Sequence, residues 1–193
     1  MNRIISELVE NRVFEGLAFT ENMLEKAIYE DCSFIRCNFN ASDLSGSIFR
    51  NCRFVNCDLS LAKLRDTGFQ EVHFSGCKLL GTVFSDCSKL LFEAGFEHCM
   101  MKLSSFQNMK LRNTKLLKCD LREADFTGTD LSCSTFAECD LLLAIFHHTN
   151  LEGSDLRTAF NFSINPENNR LRKTRFSAEG LAGLLDSYGI VIG

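Results

Sequence analysis

The chain of 193 residues has no tryptophan, one proline, two tyrosines and a net charge of only −4. One proline argues against a loop-rich secreted domain. The mild charge excludes a generally basic nucleic-acid binder and a highly charged disordered chain. The N-terminal MNRIISELVENRVFEG lacks the continuous apolar stretch of a signal peptide. The longest apolar run, Leu141 to Phe146, is too short to span a bilayer. No lipidation motif is present. These absences predict a cytoplasmic protein with no membrane partner. Disulfides are rare in that compartment, yet the chain has ten cysteines and 18 phenylalanines.

Both excesses fall on a repeat of five. From Phe14 to Phe84 every fifth residue is large and apolar, without a miss over fifteen positions. The phase slips by two and resumes from Leu91 to Leu156, with Leu171 and Phe176 returning to it. Fifteen of the 18 phenylalanines lie on this lattice. Two residues earlier in each unit stands a small residue, such as Ala27, Ser42, Thr67 or Ala124. Residues two apart on an extended chain share a face, so each unit buries one large and one small side chain. Aspartate often precedes the large residue (Asp43, Asp58, Asp120, Asp125) and glycine often follows it by two (Gly16, Gly46, Gly76, Gly128). Glycine tolerates left-handed backbone angles, which marks these places as corners. A period of five fits neither a helix nor a plain strand. It requires a turn in every unit, and a chain that turns the same way each time becomes a solenoid.

Units such as Ser42-Asp43-Leu44-Ser45-Gly46 and Ala124-Asp125-Phe126-Thr127-Gly128 resemble the pentapeptide-repeat family over roughly residues 12 to 176. The resemblance implies an all-β fold, a right-handed quadrilateral β-helix with four units to a coil. Residues twenty apart should then stack. Phe14, Phe34, Phe54 and Phe74 form one column, Phe106, Phe126 and Phe146 another, and Leu91, Leu111, Leu131 and Leu151 a third. The expected organisation is a β-helix over 1–176, with a phase break near 85–90 and a loop near 161–170. A helix-and-strand segment over 177–193 follows it.

In that segment Ser177 can cap a helix starting at Ala178. Leu181, Leu184, Leu185 and Tyr188 trace an apolar helical face, Gly189 ends it, and Ile190 and Ile192 share one face of a short strand. This segment caps the coil and offers enough further apolar surface for a symmetric dimer. The stretch from Asn161 to Gly193 resembles the C-terminal end of a narrower group: the Qnr-type and mycobacterial fluoroquinolone-resistance proteins and the albicidin and microcin immunity proteins. In that group the tail joins two solenoids end to end, and the rod mimics duplex DNA to engage type II topoisomerases. The resemblance therefore implies a homodimer whose partner is DNA gyrase or topoisomerase IV, with no direct nucleic-acid contact. The long loops of the Gram-negative Qnr type are missing here.

Charge supports that implication. Asp120, Glu123, Asp125, Asp130, Glu138, Asp140, Glu152 and Asp155 form a candidate acidic wall beside the proposed dimer end. Such a strip steers a rod towards basic surfaces. A basic belt (Lys102, Lys110, Arg112, Lys115, Lys118) adjoins it. Eight cysteines (Cys32, Cys37, Cys52, Cys57, Cys77, Cys99, Cys119 and Cys139) occupy the small inward position, where buried free thiols are expected. Cys87 would continue that column, and Cys133 sits near a corner. Their spacing suits no metal, and the His147-His148 pair reads as solvated. No phosphate loop, nucleophile elbow or HExxH motif occurs, so neither catalysis nor a cofactor is expected. The alternative to the topoisomerase reading is a scaffold that binds another protein.

Overall fold

A computed structural model describes residues 7–20 and 23–190. Its strands are short and pair only in parallel: β1 (Leu8–Glu10), β2 (Val13–Glu15), β3 (Ile28–Glu30), β4 (Ser33–Ile35), β5 (Ile48–Arg50), β6 (Arg53–Val55), β7 (Gly68–Ser75), β8 (Phe92–Glu97), β9 (Lys115–Leu117) and β10 (Thr135–Ala137). Phe14 is in register with Phe34, Phe34 with Phe54, and Phe54 with Phe74. The step is twenty residues, as a four-sided coil demands. The right-handed quadrilateral β-helix is the fold.

We number the four walls by their inward columns. The first carries Phe14, Phe34, Phe54, Phe74, Phe96, Leu116 and Phe136. The second carries Phe39, Leu59, Leu79, Met101, Leu121 and Leu141. The third carries Leu44, Leu64, Phe84, Phe106, Phe126 and Phe146. The fourth carries Tyr29, Phe49, Phe69, Leu111, Leu131 and Leu151. Rings on one wall stack, with centroids 4.7 Å apart for Phe34 and Phe54 and 4.8 Å for Phe84 and Phe106. Rings on adjacent walls meet edge to face, as Phe34 and Phe49 do at 5.8 Å. Both arrangements suit the aromatic quadrupole.

The phase break is absorbed without ending any column. Phe74 pairs with Phe96 across 22 residues, so the two aromatic series on the first wall are one. A short 3-10 turn at Phe84–Asp86 and a bulge between Phe69 and Val72 take up the extra chain. At this coil Phe69 is in register with Phe92, and the Phe92 ring meets Phe69 and Phe84 edge-on. The inward place expected for Leu91 is thus shared with Phe92, and both are half-buried. Val72 fills the small position and is fully buried.

Corners repeat with the coil. Glycines 16, 46, 76, 81, 128 and 153 all have positive φ, and so do many non-glycine residues at the same place, including Asn51, Asn56 and Asp66. At several corners the small residue's N–H also bonds back to the large residue's carbonyl, as Ser42 does to Phe39 at 2.9 Å. With positive φ at only the second central residue, Ala41, this is a type II turn.

The small inward residue does more than fit. Its side chain donates to the main-chain carbonyl of a large residue one coil back, usually 23 positions earlier. Thr129 reaches Phe106 at 2.7 Å, Ser154 reaches Leu131 at 2.7 Å, and Cys57 reaches Phe34 at 3.3 Å. A buried carbonyl gains a partner, and successive coils are stitched together from inside.

The C-terminal segment differs from its expectation. It forms two 3-10 turns, Glu179–Leu184 and Asp186–Tyr188, rather than an α-helix. Ser177 Oγ does accept the Gly180 N–H at 3.1 Å, and Gly189 ends the segment with φ 62. The glycines explain the change. A Cβ on Gly183 would lie 2.1 Å from the Phe162 carbonyl oxygen, and one on Gly180 2.8 Å from its ring. Two glycines weaken an α-helix but let the backbone press onto Phe162, where the Gly183 carbonyl accepts the Ile164 N–H at 2.8 Å. Ile190 is not in a strand, and Ile192 lies outside the described residues.

Candidate functional site

The aspartates of the candidate acidic wall first serve the coil. Each precedes a large inward residue, and one carboxylate oxygen accepts the N–H two residues on. Asp125 takes Thr127 at 2.8 Å, Asp155 takes Arg157 at 3.1 Å, and Asp43 takes Ser45 at 2.9 Å. This is the Asx turn, which locks a corner. Asn38 and Asn150 make the same bond without a charge.

Hydrogen bonds from Arg122 hold the Asp120 carboxyl below its ordinary range, and those from Arg157 do so for Asp155. For Asp125 burial pulls upward, but the bonds from Thr127 and Gln107 outweigh it, and the net direction is down. Asp130 behaves likewise through Ser132 and Arg112.

The expected single wall is not what these residues build. Asp120 and Asp140 stack on the second wall. Asp125 projects from the third, in register with Ser105 and Ile145. Asp130 lies on the fourth beside Lys110 and Asn150, and Asp155 on the first beside Thr135 and Arg175. Residues five apart step to the next wall, so the acidic series winds round the coil. Glu123 stands at the corner between the second and third walls and Glu138 at the corner after the first, both with positive φ.

Basic residues answer most of these charges. Arg122 pairs with Asp120 at 2.6 Å, Lys102 with Glu123 at 2.9 Å, Arg112 with Asp130 at 2.5 Å, Arg157 with Asp155 at 2.6 Å, and Arg170 with Glu152 at 3.0 Å. Lys118 approaches Glu138 at 3.7 Å. The basic belt is therefore partly consumed by the acidic series. In the strip of Asp120, Glu123, Asp125 and Asp140 around the edge between the second and third walls, Asp120 and Asp140 share Arg122, at 2.6 and 3.9 Å, Glu123 has Lys102, and Asp125 is held by the neutral donors Gln107 and Thr127.

The proposed dimer residues also divide. Leu184 packs against the end of the core, and Leu185 is half-buried. Leu181, Tyr188 and Ile190 are each about half exposed. The Tyr188 hydroxyl donates to Glu167 at 3.1 Å, which ties the last turn to the loop that follows the coil. Capping thus uses Leu184, while the other three side chains face outward.

The cysteines sit as their spacing predicts. Cys87 and the eight lattice cysteines are buried and free, and Cys133 is exposed at a corner with φ 60. The series Cys37, Cys57, Cys77 and the series Cys99, Cys119, Cys139 join across the break, since Cys99 bonds the Phe74 carbonyl at 3.4 Å. Burial pushes the Cys52 thiol up to about 12 and that of Cys87 well above its usual value. Among the described residues no group of histidine, cysteine and carboxylate side chains is arranged to hold a metal. The His147 and His148 rings stand 4.0 Å apart. A hollow of about 880 Å³ opens at the phase break, with His73, Lys110, Lys115, Glu71, Glu93 and Glu97 in its lining. No helix among the described residues is long and apolar enough to cross a membrane.

Two family descriptions match this sequence. The pentapeptide repeat region matches over 27–93 and 47–126, and pentapeptide repeats in eight copies over 119–157. Together they cover more than half of the chain. Curated protein sequences give no match. Among solved structures, a trypsin-treated form of QnrB1, a plasmid-mediated fluoroquinolone resistance protein, aligns over 97% of this chain and 100% of its own, with a TM-score of 0.63 and 18% identity. Full-length QnrB1 aligns over 95% and 100%, with a TM-score of 0.56 and 17% identity. At this identity the likeness is one of fold.

Proposed function

The chain belongs to the pentapeptide-repeat family, and from that premise we propose that it is a non-catalytic interaction protein. Its partner is a type II topoisomerase, DNA gyrase or topoisomerase IV, which it engages in the cytoplasm as a mimic of duplex DNA. It thereby protects the enzyme from a quinolone-like drug or a peptide toxin. The observation that carries this reading is the rod itself. From Val13 to Arg175 the first wall makes eight coil-to-coil steps. At ~4.8 Å per step the rod is about 38 Å long, and a dimer through Leu181, Tyr188 and Ile190 doubles it. The fold likeness to QnrB1 supports the choice of partner. The acidic strip Asp120, Asp125 and Asp140 supplies the charge that faces a basic groove.

A scaffold for a different protein is the second reading. It is favoured by the pairing of Asp120 with Arg122 and of Glu123 with Lys102, which lowers the net charge of that strip. A supercoiling assay with purified gyrase, with and without a quinolone, separates the two. The mimic inhibits at high ratio and restores activity against the drug. Substituting Asp120, Asp125 and Asp140 together by Asn should abolish both effects without unfolding the coil, because Asn38 and Asn150 already close corners. The same change at Asp130 and Asp155, on the other two walls, should leave them intact. No inhibition and no rescue at any ratio would leave the scaffold reading.

A further inference from the structure

The corner between the fourth and first walls is broken once. Coil by coil it carries a residue with positive φ: Asp31, Asn51, Glu71, then Asn113, Cys133 and Gly153. In the coil between Glu71 and Asn113 no residue from Phe92 to Glu97 has positive φ, and β8 crosses the corner as one strand. Gln70 and Glu71 stand between Phe69 and Val72, whereas Glu93 alone stands between their partners Phe92 and Ala94. This coil therefore cuts the corner with one residue fewer. Gly95 is in register with His73 on one neighbouring coil and with Lys115 on the other, and it has no side chain to fill the place between them. The hollow of about 880 Å³ lies at this cut.

Two features of the sequence that the coil leaves unused meet here. One is the basic belt. Lys102, Arg112 and Lys118 have carboxylate partners. Lys110 and Lys115 have none within 4 Å among the described residues, and both line the hollow. Asp130 is in register with Lys110, but its carboxylate is taken by Arg112 and Asn150. The other is the off-lattice Phe92, which is half-buried in the same lining. Beneath it Val72, Ala94 and Phe96 make an apolar floor.

Carboxylates oppose the lysines. Glu71 and Glu93 line the hollow with no basic partner among the described residues, and Glu97 has only His98, at 3.6 Å. Three carboxylates against Lys110, Arg112 and Lys115 make the lining neutral in sum. A polyanion such as a nucleic acid would meet the three glutamates and be repelled. A ligand with one charge of each sign answers both unpaired sets.

We propose that this hollow binds a small, flat zwitterion. Its carboxylate lies towards Lys110 and Lys115, its protonated amine towards Glu71 and Glu93, and its ring on Phe92. The volume agrees with small-molecule sites, which span about 300–1,000 Å³. An aromatic ring offers Phe92 either an offset or an edge contact. The site stands apart from the topoisomerase reading, because its corner is diagonally opposite the edge that carries Asp120, Asp125 and Asp140.

The probe is para-aminomethylbenzoate, which carries an amine and a carboxylate at opposite ends of one ring. Benzoate and benzylamine each keep the ring and one charge. Titration of the full chain, followed by saturation-transfer NMR, should show the zwitterion binding about tenfold more tightly than either control, since each control loses one charged contact. Lys115→Gln should erase its advantage over benzylamine and leave benzylamine binding unchanged. Glu93→Gln should erase its advantage over benzoate and leave benzoate binding unchanged. Both side chains are exposed, so neither variant should melt at a different temperature. No binding of the zwitterion, or equal binding of all three compounds, would overturn the proposal. So would binding unmoved in both variants, or an equal loss for all three compounds in either one, since the charges would then not select the ligand.

Discussion

The inward donors carry the residue-scale logic of this coil. A coil built from extended units leaves main-chain carbonyls at every corner, and many point inward where water is absent. Thr129, Ser134, Thr149 and Ser154 each send a hydroxyl to such a carbonyl one coil back. Thr129→Val keeps the shape and removes the donor, leaving the Phe106 carbonyl without it. Urea unfolding should show a loss of about 1–2 kcal/mol; an unchanged midpoint would mean that the position asks only for small size. The small lattice is plain in the sequence as size. Its role as donor is not, because a partner 23 residues away has no local signal.

The aspartates were the reverse case. Their place before the large residue is visible in the sequence, and so was the fact that Asp120, Asp125 and Asp130 are five apart. In a four-sided coil that spacing means three different walls, which the structure bears out. Their folded carboxyls release protons more readily than an unfolded aspartate, whose value is about 3.9. The stability they add is therefore complete above that value and is lost as the pH falls through the lower folded ones. Unfolding midpoints should be flat from about pH 7 to 5 and fall below about 4.

At the scale of elements, the columns decide stability and the tail covers the end of the core through Leu184. Phe126 lies fully buried between Phe106, at 5.4 Å, and Phe146, at 5.2 Å. Truncation to alanine should cost about 3–5 kcal/mol. The columns were legible because period five repeats for most of the chain. Three phenylalanines off the lattice mark where it was not. Phe92 shares the bulged coil with Leu91, Phe162 lies under the tail, and Phe160 is exposed beside Asp140.

The tail's apolar spacing predicts an α-helical face. Gly180 and Gly183 overrule it, because close approach to Phe162 matters more there than helix propensity. Gly183→Ala cannot be accommodated against a backbone oxygen at 2.1 Å. Limited proteolysis should then release the tail while the coil resists, and the proposed dimer should not form. A variant as resistant as the wild type would show that the tail docks in some other way.

For the whole molecule, the coil offers four long sides, and composition assigns them different surfaces. On the second and third walls Asp120 and Asp140 share Arg122, Glu123 has Lys102, and Asp125 is held by neutral donors alone. The other two walls pair Asp130, Glu152 and Asp155 with arginines. That division follows from counting residues round a coil of twenty, and a linear reading of net charge conceals it.

If the rod stands in for duplex DNA, it and DNA must compete for one groove. Labelled protein bound to gyrase, followed by sedimentation or anisotropy, should be displaced by increasing linear duplex in a one-for-one manner. Binding that persists at saturating duplex, or no binding to gyrase at all, would mean that the protein is not a DNA mimic.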